Sequence, residues 1–241
     1  MVTPDETGWR VGGRLHWLWA FATPTTTVYA IRAGRGFPEA ASILGADFRG
    51  VLVRDGWAPY RQFTHAAHQT CLAHLLRRAR LLHQDHPHAP LPGAVHALPQ
   101  QALALRGRHH AGTVSTHGLA VARGHLIAAL ATVLGRTSSV ADVDRFAAHL
   151  SVEFPAIFSF LFDPTLDATN WRAEQALRPA VVTRKMAGRG NRSLRGAATQ
   201  QVLASVLRTA HLRDLDAVPL VVDLLRAPTP TVSAALQAPR Q

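Results

Sequence analysis

Large apolar side chains recur at every second position near the start of the chain, which predicts a β-strand. They are Leu15, Trp17, Trp19 and Phe21. The turn-forming Thr23–Thr25 follows, and 26–31 is rich in β-branched and aromatic residues. We therefore predict an antiparallel meander over 8–31, preceded by a short strand over 2–9 that carries Asp5.

The pattern then changes to helical periodicity, interrupted by one short apolar run. Residues 37–46 are predicted to be helical. Residues 50–56 end in Asp-Gly and have the form of a buried parallel strand with Asp55 at its carboxyl end. A basic helix is predicted over 71–84, with an apolar stripe on one side.

The second half of the chain is predicted to be mainly helical. Residues 85–99, rich in His and Pro, are expected to form a loop. The expected helical segments are 100–161, 170–177 ending before Pro179, 197–211 and 216–226, with a basic glycine-containing loop over 188–196. Strands first and helices after, with one parallel strand added late, indicate an α/β or α+β fold.

Composition and charge favour a globular protein with a polyanionic partner. The 241 residues are 47% hydrophobic, and 26 Lys and Arg stand against 15 Asp and Glu, a net charge of +11. Such a charge favours nucleic acid as the partner. A GC-rich coding sequence, which enriches Arg and Ala, is the alternative source of the charge.

Several protein classes are excluded at this stage. No run approaches the ~20 apolar residues of a membrane span, so we expect no membrane association. No signal peptide opens the chain, which indicates the cytoplasm. The single cysteine, Cys71, excludes an intrachain disulfide and an all-cysteine zinc site.

Three acidic residues are the candidates for chemistry. Asp5 lies on the predicted first strand, Asp55 ends the parallel strand, and Glu174 lies on a late helix. If the first and fourth strands lie side by side and parallel, both aspartates reach the carboxyl edge of the sheet, where ligands collect. Converging carboxylates repel one another unless they share a cation, and Mg²⁺ prefers such oxygen ligands. The alternative is that all three are solvated surface charges, with Asp55 in an ordinary Asp-Gly turn.

Five segments, in order, resemble landmarks of the insertion-sequence sixty-six group of bacterial DDE transposases. They are Asp5–Trp9, Arg54–Tyr60, Cys71–Leu75, Thr169–Pro179 and Thr183–Lys185. The resemblance extends from Asp5 to about Arg226. It implies a ribonuclease-H-like α/β fold, in which helices flank a mixed five-stranded sheet and a helical insertion precedes the last catalytic helix.

The resemblance also implies the activity and its cofactor. Matched by motif, the family's catalytic and metal-binding acids are Asp5, Asp55 and Glu174. They would hold two Mg²⁺ ions, with Mn²⁺ able to substitute, for DNA cleavage and strand transfer. The implied partners are transposon-end and target DNA, with no membrane, and a homo-oligomer when active. The implied location is the bacterial cytoplasm, at the nucleoid.

The chain is accordingly divided into four segments. Residues 1–84 are the first part of the catalytic domain, 85–162 the mostly helical insertion, 163–227 the C-terminal helices of the catalytic domain and 228–241 a flexible tail. Relatives carry DNA-binding segments upstream of the first acid, whereas only 1–4 precede Asp5 here. We therefore expect a catalytic part that lacks its N-terminal region.

Three further residues are candidates to support the site. Cys71 and His74 form a C-x2-H pair that is structural, close to DNA or zinc-binding; the alternative, which we favour, is a buried Cys71 with a hydrogen-bonded His74. Asn170 lies one helical turn before Glu174 and either faces the metals or caps the helix.

Basic residues that follow the catalytic helix are candidates for phosphate contact, with a solvated loop as the alternative. They are Arg178, Arg184, Lys185, Arg189, Arg192 and Arg195. Arg77 and Arg78 on the earlier basic helix form a second patch. Two functions remain: a DDE transposase that cleaves and transfers DNA strands, and a truncated, inactive remnant that only binds DNA.

Overall fold

A computed structural model describes residues 1–136, 138–187 and 190–226 of the chain. Its five strands are β1 (Thr3–Val11), β2 (Arg14–Ala22), β3 (Thr27–Arg32), β4 (Val51–Arg54) and β5 (Ala67–Thr70). Its α-helices in the described residues are α1 (Phe37–Leu44), α2 (Leu72–Asp85), α3 (Pro90–His110), α4 (Thr116–Leu134), α5 (Ala141–Ile157), α6 (Trp171–Ala187), α7 (Leu194–Leu212) and α8 (Ala217–Arg226).

The chain divides into two compact units. The central unit comprises Met1 and Arg49–Asn170, and it contains β4, β5 and α2 to α5. The terminal unit comprises Val2–Phe48 and the chain from Trp171 onward, and it contains β1 to β3, α1 and α6 to α8. The predicted tail, 228–241, lies outside the described residues.

The terminal unit is built on the predicted antiparallel meander. Strands β1, β2 and β3 pair in that order, and the alternation of side chains gives the sheet two different faces. On one face, Trp9 and Val11 pack with Leu177 of α6 and with α7. On the other, the buried carboxylate of Glu6 accepts a 2.7 Å hydrogen bond from Arg35. A buried carboxylate needs such a partner because desolvation without one is costly.

The central unit joins a short parallel sheet to a helical core. Strands β4 and β5 pair in parallel from Val51↔Ala67 to Arg54↔Thr70, which confirms the parallel strand predicted over 50–56. Gln69 ties β5 to the chain after α5, since its amide donates to the Ile157 carbonyl at 3.0 Å and accepts from the Phe160 N–H at 2.8 Å. Apolar side chains of α2, α3, α4 and α5 form the core.

Two helices extend across segments where the sequence predicts none. The predicted loop 85–99 is wrong, because α3 begins at Pro90 and continues to His110. A proline is compatible with the first turn of a helix, where no N–H is needed. Beyond it, buried residues recur three or four apart and hold the helix against the core: Leu91, Val95, Leu98, Ala102 and Leu105.

The predicted end of the late helix before Pro179 is also wrong, since α6 continues to Ala187. An interior proline removes one helical hydrogen bond and costs ~3 kcal/mol. Packing anchors α6 on both sides of that point: Ala176 and Leu177 pack against the sheet, and Arg184 donates to the Gly8 carbonyl. Tertiary contacts of this kind outweigh local propensity.

The strands form two sheets in the described parts of the chain, one of three strands and one of two. The single mixed five-stranded sheet expected from the sequence is not seen. In the described pairings the partner of β1 is β2 and the partner of β4 is β5, so the expected pairing of the first and fourth strands is absent there. What the structure shows is the coarser class, a mixed α/β protein.

One described helix, α4, is long and apolar enough to cross a membrane by length and composition. The expectation that no segment approaches a membrane span was therefore wrong on this criterion. A single helix of this kind is weak evidence for a membrane. In the central unit, α4 packs against α3 and α5, and Leu126 and Leu130 contribute to the core.

Candidate active site

The first predicted acid, Asp5, lies on the face of the terminal sheet that α6 and α7 cover. It shares this face with Trp9 and Val11, because residues two apart on a strand point the same way. Asp5 pairs across the sheet with Ala20, which in turn pairs with Tyr29. The Tyr29 hydroxyl donates to the Ala176 carbonyl at 2.6 Å. The cross-strand row that contains Asp5 therefore meets the second turn of α6 at its Tyr29 end.

The third predicted acid, Glu174, lies in the first turn of α6. Successive residues are about 100° apart around a helix, so Glu174 lies nearly opposite Ala176. Ala176 contacts β3, and the body of α6 packs on β1 and β2. Glu174, which is partly buried, therefore lies on a flank of α6 beside the face that Ala176 and Leu177 bury against the sheet.

The terminal unit thus brings Asp5 and Glu174 to facing elements of one layer, whereas Asp55 belongs to the central unit. Among the residues that the structure describes, no group of three His, Cys, Asp or Glu side chains is arranged to hold a metal ion. The carboxylate donors are those that Mg²⁺ prefers. The convergence of all three acids on two metal ions stays a prediction.

The second predicted acid, Asp55, occupies a fixed turn at the carboxyl end of β4. Its Oδ1 accepts a hydrogen bond from the Trp57 N–H at 3.0 Å, which restrains the side-chain rotamer. Its carbonyl oxygen accepts a 3.1 Å hydrogen bond from the guanidinium of Arg54. The next residue, Gly56, is in close contact with His149: a Cβ at Gly56 would lie 2.5 Å from the His149 Nε2.

Glu153 was missed by sequence analysis and lies at the centre of a buried polar cluster next to this turn. Its side chain is fully buried and accepts from Arg54 at 2.6 Å, Thr70 Oγ1 at 2.7 Å and Arg61 at 2.9 Å. Burial alone would raise its pKa, but the charge of Arg54 and these three hydrogen bonds outweigh burial and lower it. The pattern of α5 predicts an amphipathic core helix, and nothing in that pattern distinguishes Glu153 from a solvated acid.

Burial lowers the pKa of His68 and of His149 below the ordinary value of 6.5. Both rings therefore bind protons more weakly in the folded protein than in the unfolded chain. As a result, the free energy of unfolding decreases as the pH falls below about 6.5. The lowered pKa of Glu153 also decreases the free energy of unfolding as the pH falls, but only below about 4.5, the ordinary pKa of this side chain.

We therefore expect the urea midpoint of unfolding to fall between pH 7 and pH 5.5. His149→Gln, which does not titrate, is expected to flatten this dependence, whereas substitution of the exposed His88 by Gln leaves it unchanged. Equal slopes for His149→Gln and wild type would contradict the assignment.

The supporting residues are placed around the start of α6 and α2. Cys71 is fully buried, and its Sγ lies 3.3 Å from His74 Nδ1. This matches the favoured alternative of a buried Cys71 with a hydrogen-bonded His74. Asn170 is also fully buried, its N–H donates to the Cys71 sulfur at 3.4 Å, and neither polar atom of its side chain has a hydrogen-bond partner in the described residues. Its side chain therefore makes no helix-capping bond there, and its role toward the metals stays a prediction.

The predicted DNA-contacting residues differ in exposure. The exposed ones are Arg178, Lys185, Arg192, Arg195, Arg77 and Arg78. Arg184 is half-buried and donates to the Thr7 hydroxyl and the Gly8 carbonyl, so it also holds α6 to β1. Arg189 lies outside the described residues. Arg178 and Lys185 share the flank of α6 that carries Glu174, at about 100° per residue.

The structure thus defines a mixed α/β protein in which Glu174 begins a helix that carries exposed basic residues. Comparison with family models gives a match to the Transposase IS66 family over residues 1–199. This chain belongs to that family of transposases. A search of curated proteins and a search of solved structures gave no match.

Proposed function

We propose that this chain cleaves DNA strands at the ends of an insertion sequence and joins the freed 3′-hydroxyl to target DNA. Family membership supports a transposase function and an enzyme of the nuclease and strand-transfer kind. The residues that carry the reaction are Asp5, Asp55 and Glu174. The three acids act together in the proposed reaction.

The observation that carries this proposal is the arrangement on α6. Glu174 begins a flank of this helix on which Arg178 and Lys185 follow, and the cross-strand row that α6 contacts at Tyr29 contains Asp5. An acid that would hold a metal ion and cations that would hold the phosphates thus lie on one side of one helix. Phosphoryl transfer requires this combination of metal-binding oxygens and phosphate clamps.

The three carboxylates are the residues that would hold the metal ions. Mg²⁺ or Mn²⁺ bound there would supply activation of the attacking oxygen and stabilisation of the leaving oxygen. Within the chain, Asp55 is oriented by the Trp57 N–H. Asn170, whose buried carboxamide has no hydrogen-bond partner among the residues that the structure describes, is suited to orient a water molecule or the scissile phosphate.

Arginine contacts to the DNA backbone supply affinity without reading sequence. We assign this role to the exposed Arg178, Lys185, Arg192 and Arg195, with Arg77 and Arg78 as a second patch. Transposon-end and target DNA are the partners, the active form is a homo-oligomer because two ends are processed together, and the site of action is the bacterial nucleoid.

The proposal is tested by incubating the purified chain with linear duplexes that carry the terminal repeats of its own element. We expect strand nicks at the repeat ends that require Mg²⁺ or Mn²⁺ and disappear with a chelator. A denaturing gel of end-labelled strands locates each nick. DNA binding that weakens steeply with salt, without nicks under either metal ion, would instead identify a remnant that only binds DNA.

A further inference from the structure

A charged pair buried in the central unit adjoins the second acid of the predicted triad. Arg54, the last residue of β4, has a side chain 3% exposed, and the side chain of Glu153 on α5 is 0% exposed. The two are joined at 2.6 Å. Glu153 is held from two further directions by Thr70 and Arg61, so its position is determined by three separate segments of the chain.

Arg54 links Glu153 to Asp55. Its Nη1 donates both to Glu153 and to the Asp55 carbonyl, and its Nε donates to His68 Nδ1 at 3.1 Å. The planar guanidinium fixes these donors relative to one another. The Asp55 backbone is therefore tied through one rigid group to α5, while the Trp57 N–H restrains its carboxylate.

Stability alone does not explain a charged pair at this position. Removing two charges from water is costly, and apolar residues of similar volume often stabilise a core as well or better. The neighbouring residues of α5, Phe146 and Leu150, are fully buried apolar side chains of this kind. What apolar residues cannot provide is a hydrogen bond that holds the Asp55 carbonyl.

We propose that Glu153 is a positioning residue for Asp55, acting through Arg54 to hold the carboxyl end of β4 in the geometry that binds a divalent cation. This inference rests on the proposed function in one respect, that Asp55 is a metal ligand. His149, one helical turn before Glu153 on α5, packs closely against Gly56. It therefore also restricts the turn that follows Asp55.

The test measures metal occupancy at Asp55 without requiring turnover. Fe²⁺ with ascorbate and peroxide cleaves the backbone next to a bound iron ion, and mass spectrometry locates the cut. With the full wild-type chain we expect fragments ending near residue 55, which disappear in Asp55→Asn and are competed by Mn²⁺.

The informative variant is the double replacement Arg54→Met with Glu153→Met, since a single replacement leaves a buried charge unpaired. We expect it to stay folded by circular dichroism and to require roughly tenfold more iron for the same cut, as is typical when groups that orient metal ligands are lost. The control is Leu150→Met, a buried change on the same helix that keeps wild-type cleavage.

Arg54→Lys provides an independent test if the double variant does not fold. A lysine keeps the positive charge beside Glu153, but its single ammonium group cannot donate to Glu153, His68 and the Asp55 carbonyl together as the guanidinium does. We therefore expect the same loss of cleavage. Cleavage at residue 55 at wild-type iron concentrations in either folded variant overturns the positioning role and leaves the proposed function intact. Absence of that cleavage in the wild type overturns the metal site, and the positioning role with it.

Discussion

Replacement of Glu174 by Gln is expected to abolish metal-dependent nicking, by about a thousandfold or more, which corresponds to ~4 kcal/mol of transition-state stabilisation. Gln keeps the size and the helix propensity of Glu, so α6 should fold unchanged. The substitution removes only the negative charge that the proposed cations need. The DNA-contacting flank of α6 is left intact, and we expect binding measured by fluorescence anisotropy to match the wild type.

The matched control is Gln175→Ala, one position further along the same turn of α6. Gln175 is exposed, carries no charge and lies about 100° around α6 from Glu174, so nicking should be unaffected. Nicking by Glu174→Gln at the wild-type rate, with Mg²⁺ as the only divalent ion, would show that this carboxylate holds no catalytic cation.

The elements that could be predicted from sequence are those whose pattern is local. The alternation around Trp17 and Trp19 gives the meander, and the short apolar run before Asp55 gives the parallel strand. Each follows from neighbouring side chains pointing to the same or opposite faces. The family was predicted for a similar reason, since its landmark motifs are short runs, and the family model confirms it.

The features that were missed depend on partners distant in sequence. Pro99 and Pro179 indicate helix ends by local rules, yet both lie inside helices that packing stabilises. Glu153 becomes exceptional only when folding brings Arg54 and Thr70 to it, 99 and 83 residues earlier in the chain. Pairing between strands is equally non-local: in the described residues β4 pairs with β5, and its expected pairing with the first strand is not seen.

Arg184 illustrates the same limit at the candidate site. By composition it belongs to a basic run suited to phosphate contact, which predicts the same role for each member. In the structure its guanidinium donates to Thr7 and Gly8 of β1. A charge run therefore predicts the affinity of a surface, whereas the role of each member depends on what the fold places beneath it.

Gly190 shows how the segment after α6 is joined to the strand that carries Asp5. The residue that follows, Asn191, donates its N–H to the Arg10 carbonyl at 2.8 Å and accepts from the Gly12 N–H at 2.9 Å. The Asn191 side chain accepts from the Trp9 indole at 2.8 Å. The backbone at Gly190 lies so close to β1 that a Cβ there would overlap the Arg10 carbonyl oxygen and lie 2.7 Å from the Trp9 indole nitrogen.

We therefore expect Gly190→Ala to destabilise the terminal unit by ~3 kcal/mol, at the upper end of the range for overpacking, because the obstructing atoms include backbone that cannot rotate away. Urea unfolding gives the change in free energy, and faster amide exchange in β1 would localise it. The control is Gly124→Ala on α4, where no atom lies within 4 Å of the added Cβ; since alanine favours a helix more than glycine, it should gain ~0.5–1 kcal/mol. If Gly190→Ala were as stable as the wild type, the segment after α6 would not be packed on β1, and the hydrogen bonds of Asn191 could not hold α6 over Asp5.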